Sequence, residues 1–337
     1  MLFDSFSIGR LTLRNRIVMP PMCMYSAGQD GLATDWHFIH YTARAVGQVG
    51  LIIVEATGVE DRGRISANDL GLWNDEQTES MKKLVHAIHR QGSAAAIQLN
   101  HAGRKSEVAY LTPVSSSTEP FSDQYRIPYS LTQAEISQVA ELFAGAARRA
   151  VTAGFDAIEI HAAHGYLLNQ FLSPLVNKRQ DQYGGTPGNR VRFLGEVLTA
   201  VRAVVPQDIP VWVRVSAEEY DQAGNHVEDV AEMLNMIKDK GLAAIHASSG
   251  GVTPAQVRAY PGYQIGFAAA VRERTGLPVI GGGLIAEPQQ AEQVVKAGID
   301  LVFIGRELLR NPYWPLHAAS ALKEEINWPV PYARARV

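Results

Sequence analysis

Two histidines three positions apart and a tyrosine two further on, His161, His164 and Tyr166, are the residues of this sequence best suited to act on an oxygen and a proton. Imidazole N–H groups can grip a carbonyl oxygen. A phenol, with an ordinary pKa of about 10, keeps its proton at neutral pH and can deliver it. The histidine spacing also invites a metal, but no HExxH helix accompanies it and the sequence offers no third ligand nearby. Arg214 lies inside an apolar run, Val211–Ser216, in which valines alternate with Trp212, Arg214 and Ser216. A cation in such a run is costly unless paired. Either it belongs to a buried ion pair, with Glu159 as the partner in view, or it is a fixed charge beneath an anion that forms during reaction. On the residues alone these two readings stand level. Cys23 could be a nucleophile, yet its place between Met22 and Met24 disfavours a thiolate and favours a contact or tuning role. Lys105 could form a Schiff base, but a loop position does not predict the burial that would lower its pKa.

Glycines mark a second kind of chemistry. Gly281-Gly282-Gly283 and Gly305-Arg306 each follow an apolar run near the end of the chain. Backbone N–H groups in such loops, with Arg306 as a fixed cation, suit a phosphate. Gly281, Gly283 and Ala286 also match a dinucleotide fingerprint with Asp300 about 20 residues on. That match fails, because Asp300 precedes its strand and would lie at the wrong end of a sheet.

The elements that must position these groups repeat along the whole chain. Strand candidates are Arg16–Pro20, Leu51–Ala56, Ala95–Leu99, Ala157–His161, Val211–Val215, Ala243–Ala247, Pro278–Gly281 and Leu301–Ile304. Amphipathic stretches lie between them at Glu76–Gln91, Thr132–Ala153, Asn189–Val204, Val227–Lys240 and Pro288–Ala297. Thr132 with Glu135 reads as a capping box, and Gly154, Gly241 and Gly298 read as left-handed helix ends. Eight strand–helix units with no linker predict an α/β fold, a single (β/α)8 TIM barrel spanning residues 1–337. A doubly wound open sheet gives no reason for the count to stop at eight. In such a barrel the carboxyl ends of the strands carry the chemistry, and there the polar, cationic and glycine residues above collect. Residues 107–129, rich in proline and serine, interrupt the rhythm and read as a rim or lid loop; residues 326–337 form a C-terminal tail.

Composition removes several classes. Hydrophobic residues at 46% and charged residues at 19% indicate a globular chain, and a net charge of -3 lacks the basic footprint of a nucleic-acid binder. No apolar run reaches the ~18 residues of a membrane span, and the start shows no signal-peptide pattern, so a cytoplasmic location is expected. One cysteine cannot build an iron–sulfur cluster or a thiolate zinc site.

Together these residues resemble the old yellow enzyme family of flavin-dependent ene-reductases, from about Phe3 to Arg306. The most specific stretch runs from His161-Ala-Ala-His164-Gly-Tyr166 to Ser173-Pro174, then Asn177-Lys-Arg179, Tyr183-Gly184-Gly185 and Asn189-Arg190. His101-Ala-Gly-Arg104-Lys105 and Phe303-Ile-Gly305-Arg306 agree with it. Pro21-Met22-Cys23-Met24-Tyr25 is similar to the bacterial, thermophilic-like subgroup, which has cysteine where other members have threonine. Thr186-Pro187-Gly188 departs from the family's usual helix start.

The resemblance implies noncovalent FMN contacted by Pro20, Pro21, Met22, Cys23, Ala56, Gln98, Arg214, Gly305 and Arg306, with Gly282 and Gly283 helping to hold its phosphate. It places Tyr25, His161, His164 and Tyr166 against substrate, with Tyr166, His161, His164 and Cys23 as the catalytic set. It implies NADPH as reductant and ping-pong hydride transfer to the C=C bond of α,β-unsaturated carbonyl compounds, with quinones and nitro compounds as further acceptors. It also implies a homodimer or homotetramer in which Arg334, with Arg336 as the alternative, reaches the neighbouring subunit's site. It resolves Arg214 in favour of a cation beneath reduced flavin. Two rivals are a phosphate-binding barrel lyase or aldolase using Lys105, and a flavin reductase of RNA bases. Neither a nucleic acid nor a membrane is expected as a partner.

Overall fold

The computed structural model describes residues 1–336. Eight parallel strands close into a barrel: Ile17–Met19, Leu51–Gly58, Ala94–Asn100, Ala157–Ala162, Val211–Ser216, Ile245–Ser248, Val279–Gly282 and Leu301–Phe303, each paired with its neighbours in chain order and the eighth with the first. This is the (β/α)8 TIM barrel that the strand–helix rhythm predicts. Every strand residue but Ala94 is buried, because helices cover the outside and side chains fill the inside. A short antiparallel hairpin, Phe6–Ile8 with Leu11–Leu13, precedes the barrel. Just after it, Arg14 donates to the carbonyls of Ala45, Val49 and Gln91, which stand ahead of the second and third strands, so this region closes the amino-terminal end.

Local chemistry sets the helix limits. Thr132 Oγ1 accepts the Glu135 N–H at 3.3 Å while Glu135 accepts the Thr132 N–H at 2.8 Å, opening helix Gln133–Ala153. Gly154 ends it with φ 93°, a conformation that a Cβ would strain. Thr186 caps Pro187–Val204 despite its departure from the family pattern, because its hydroxyl accepts from Asn189 N–H and Pro187 needs no partner at the first turn. Two helices are not marked by an apolar inner stripe. Asp35–Val46 buries His37, His40 and Arg44, so polar residues occupy its inner face. Ile265–Thr275 buries only Ala268, Val271 and Thr275. Asp300 accepts from Val279 N–H at 3.0 Å and Arg272 at 2.8 Å, at the amino-terminal ends of the seventh and eighth strands, so the dinucleotide match is a coincidence of spacing.

One guanidinium ties the two ends of the stretch 107–129 together. Arg126 donates to the carbonyls of Ser106, Val108, Ala109 and Leu111, and a two-strand pairing joins Val114–Ser115 within the stretch to Tyr129–Ser130 at its end. Arg104 ties it to the sixth-strand loop through the carbonyls of Glu119, Pro120 and Val252. The tail forms an exposed turn, Val330–Ala335, held by Tyr332 against Tyr313; position 337 lies outside the described residues. Among the described residues no helix is long and apolar enough to cross a membrane. Replacing Arg126 by alanine leaves those carbonyls to water, so hydrogen exchange across 106–126 is expected to accelerate by at least tenfold while the barrel strands keep their protection. Unchanged exchange there would show that the loop is ordered by something else.

Candidate active site

The carboxyl ends of the strands surround a cavity of about 450 Å³. Pro20, Pro21 and Met22 from the first loop line it, as do His164, Arg214, Gly283, Gly305 and Arg306, all named from the sequence. Ser248, Ser249, Tyr263 and Gln264 line it too. The last two sit in a long loop with no motif of their own, and only the serines carried a signal, by following the sixth strand. Gly282 lies just below: a side chain there would meet the Phe303 carbonyl at 2.6 Å, so it permits close strand packing.

Cys23 and Tyr166 pack with Ala56, Ile65 and Ala102 in a separate apolar cluster at the mouth. Tyr25 is half exposed with φ 51°. Gln98 is buried within the barrel. Arg334 stands on the exposed terminal turn, and among the described residues it makes no ion pair or hydrogen bond within the chain, whereas Arg336 approaches Glu325 at 3.7 Å.

Arg214 does not pair with Glu159, which corrects the simpler of the two readings. The Glu159 carboxylate is taken by other donors: Gln98 Nε2 at 2.7 Å, Trp212 Nε1 at 2.7 Å and His246 Nδ1 at 2.8 Å. Burial alone would raise its pKa, but His246, Arg214 and Trp212 outweigh that and hold it at about 2. Arg214 Nε is buried with no hydrogen-bond partner among the described residues, and the guanidinium sits 5.9 Å from the centre of the Phe303 ring. Unlike the other arginines with a buried unbonded Nε, Arg214 lines the cavity, where an acceptor could reach it.

The histidine pair is brought together with Tyr166. Ring centres lie 5.2 Å apart for His161 and His164 and 4.9 Å apart for His161 and Tyr166. His161 Nδ1 accepts the Ala163 N–H at 3.2 Å, which puts its own proton on Nε2. His164 stands in a left-handed conformation, φ 58°, clamped on both sides of its backbone: its N–H reaches Ser216 Oγ at 2.9 Å and its carbonyl takes Lys105 Nζ at 3.0 Å. Its Nε2 lies 2.7 Å from Ser248 Oγ, which already accepts from Gln264. The serine hydroxyl can donate to this nitrogen, an arrangement that leaves the His164 N–H at Nδ1 for a ligand. Burial, and then the charge of Arg214, hold both imidazoles well below their usual pKa, so both are neutral. Burial keeps Tyr166 protonated, and burial followed by the Asp69 and Glu55 carboxylates keeps Cys23 a thiol.

Lys105 departs from expectation. It is folded under the rim, with Nζ 4.3 Å from the Phe121 ring centre and 5.1 Å from that of Tyr166. Burial, with Arg104 beside it, lowers its pKa to about 8. Its N–H groups are directed to the His164 and Gly251 carbonyls, so it holds the histidine loop.

A flavin fits these residues. The unpartnered Arg214 supplies a buried cation, and Arg306 on the same cavity makes no ion pair among the described residues. Gly305 borders the same cavity, where a Cβ would make ordinary contact with Met22 Sδ at 3.7 Å.

Comparison with known proteins agrees. The pattern of the NADH:flavin oxidoreductase / NADH oxidase family matches residues 1–325. An NADPH dehydrogenase of Geobacillus thermodenitrificans is 52% identical over 336 residues, covering 99% of this chain and 98% of that protein. One of Clostridium acetobutylicum is 47% identical, covering 99% of each. Morphinone reductase superposes with a TM-score of 0.82 at 29% identity, over 98% of this chain and 91% of that one. The chain belongs to the NADH:flavin oxidoreductase / NADH oxidase family, as its resemblance to old yellow enzymes implies.

Proposed function

We propose that the protein is an FMN-dependent NADPH:acceptor oxidoreductase that reduces the activated C=C bond of α,β-unsaturated carbonyl compounds in two half-reactions at one site. The observation that carries this reading is the neutral His161–His164–Tyr166 group beside an unpartnered Arg214. FMN, when bound, would supply hydride chemistry between nicotinamide and acceptor. His161 Nε2–H and His164 Nδ1–H grip the acceptor's carbonyl oxygen and draw electron density from its β-carbon. Tyr166 Oη holds a proton that its buried setting makes hard to lose except to a carbon gaining charge. Arg214 stabilises negative charge at the mouth. Arg306 and the loop at Gly283 hold a phosphate.

Tyr25 and Cys23 line the acceptor side, with the thiol tuning and not attacking. The names of the relatives support NADPH, and quinones and nitro compounds suit the same donors. A cytoplasmic homodimer or homotetramer with Arg334 crossing to the next site completes the proposal. A Schiff-base role for Lys105 finds no support, since its amine is directed to two carbonyls.

Purified protein is expected to be yellow, to bleach with NADPH under anaerobic conditions and to regain colour on adding cyclohexenone. A colourless protein that binds no FMN overturns the reading. His161→Ala should lower kcat for enone reduction by about 10²–10³ while flavin content stays level; parallel loss of flavin would assign His161 to cofactor binding instead. Lys105 is charged below about 8 and neutral above it, so activity should decline as pH rises through that value. Lys105→Arg, which stays charged, should remove that decline, and its persistence would assign it to another group.

A further inference from the structure

The second strand loses its register against the third between Val54 and Thr57, and Glu55 lies in that bulge. Its N–H has left the ladder and donates to Tyr41 Oη at 2.9 Å, while the same phenol donates to Glu55 Oε1 at 3.1 Å. One tyrosine thus fixes both the backbone and the side chain of this residue. The second carboxylate oxygen accepts the Met24 N–H at 2.7 Å, and the Tyr25 N–H lies beside it. His37 Nε2, buried without a hydrogen bond, stands 3.5 Å from Oε1. Glu55 itself is 1% exposed, and no lysine or arginine pairs with it among the described residues. Bulges re-aim side chains next to active sites, and a carboxyl this deep is costly unless its oxygens are bonded, as both are here.

We propose that Glu55 is a positioning residue, which from this bulge pins the Met24–Tyr25 backbone and so holds Cys23 and the left-handed Tyr25 at the barrel mouth. Only the destination of that segment rests on the function proposed above; the anchoring does not. A charge effect accompanies it. The groups facing Cys23 are the carboxylates of Glu55 and Asp69, the phenols of Tyr25, Tyr41 and Tyr166, and the more distant Arg214. Both carboxylates disfavour a thiolate, so removing one should let the thiol ionise at lower pH. Burial raises Glu55 itself to about 7. Folding therefore favours its protonated form, and stability is lost as pH rises from the unfolded carboxyl range through about 7. The melting temperature of Glu55→Gln relative to the parent should therefore rise between pH 5 and pH 8.5, whatever the lost acceptor costs at both.

The chain has a single cysteine, so alkylation by iodoacetamide, followed by intact mass, reads Cys23 alone. The protein as purified is compared with Glu55→Gln, Tyr41→Phe and, as a remote buried carboxylate, Glu292→Gln. Glu55→Gln should move the alkylation profile to lower pH. Tyr41→Phe, which keeps the ring and frees the carboxylate, should speed labelling several-fold at every pH. Glu292→Gln should match the parent. A change in the stated direction in either of the first two that is absent from Glu292→Gln supports the proposal, and slower labelling in both counts against it. Parent-like labelling in both, or an equal change in Glu292→Gln, overturns it. All variants are compared at equal flavin content, because Cys23 adjoins the proposed cofactor; the thiol readout requires no turnover, so its failure is distinguishable from failure of the proposed function.

Discussion

A guanidinium buried at the mouth of a barrel without a bonded carboxylate is the constraint around which the other residues are arranged. Desolvating such a charge costs several kcal/mol, and proteins ordinarily offset this by pairing. Here the obvious partner is occupied: Glu159 is bonded to Gln98, Trp212 and His246, one layer below. The negative charge stays close enough to favour the cation yet makes no contact that would neutralise it. Arg214 therefore projects a positive field into the cavity. That field, second to burial, keeps His161 and His164 neutral and hence single N–H donors. An anionic ring in that cavity would satisfy the guanidinium that the protein leaves bare.

Rigidity comes from beneath and strain sits on top. The strands are buried almost throughout, whereas Tyr25 and His164 both adopt left-handed conformations that cost of order 1–3 kcal/mol each for a residue with a Cβ. Each is held by hydrogen bonds to its neighbouring backbone: Ser216 and Lys105 on His164, Glu55 beside Tyr25. The bonds that hold them come from the second, third and fifth strands or the loops just after them. A site that gathers residues from most strands needs such cross-ties, because no single loop could keep its donors fixed against an incoming ligand.

Much of this was legible in the sequence. All eight strands could be read from short apolar runs, since a buried parallel sheet leaves an apolar stripe, and the polar clusters at their ends marked the mouth. Helices with buried polar or small residues could not, as Asp35–Val46 and Ile265–Thr275 show. Arg214 stood out by its placement in a valine strand, but its lack of a partner could not be read, because Trp212, Gln98 and His246 reach Glu159 only once the strands close. The same is true of Lys105, a loop residue in sequence whose burial is set by Phe121 of the rim excursion. Tyr263 and Gln264 join the cavity through a loop with no motif.

The most direct measurement of the role given to Arg214 is the midpoint potential of bound flavin in the native protein, Arg214→Lys and Arg214→Gln, taken anaerobically on reloaded enzyme. Removing the cation should make the flavin harder to reduce, so the potential should fall in the glutamine variant and fall less in the lysine variant, which keeps the charge. An unchanged potential in Arg214→Gln, with flavin still bound, would contradict the central role given to this residue.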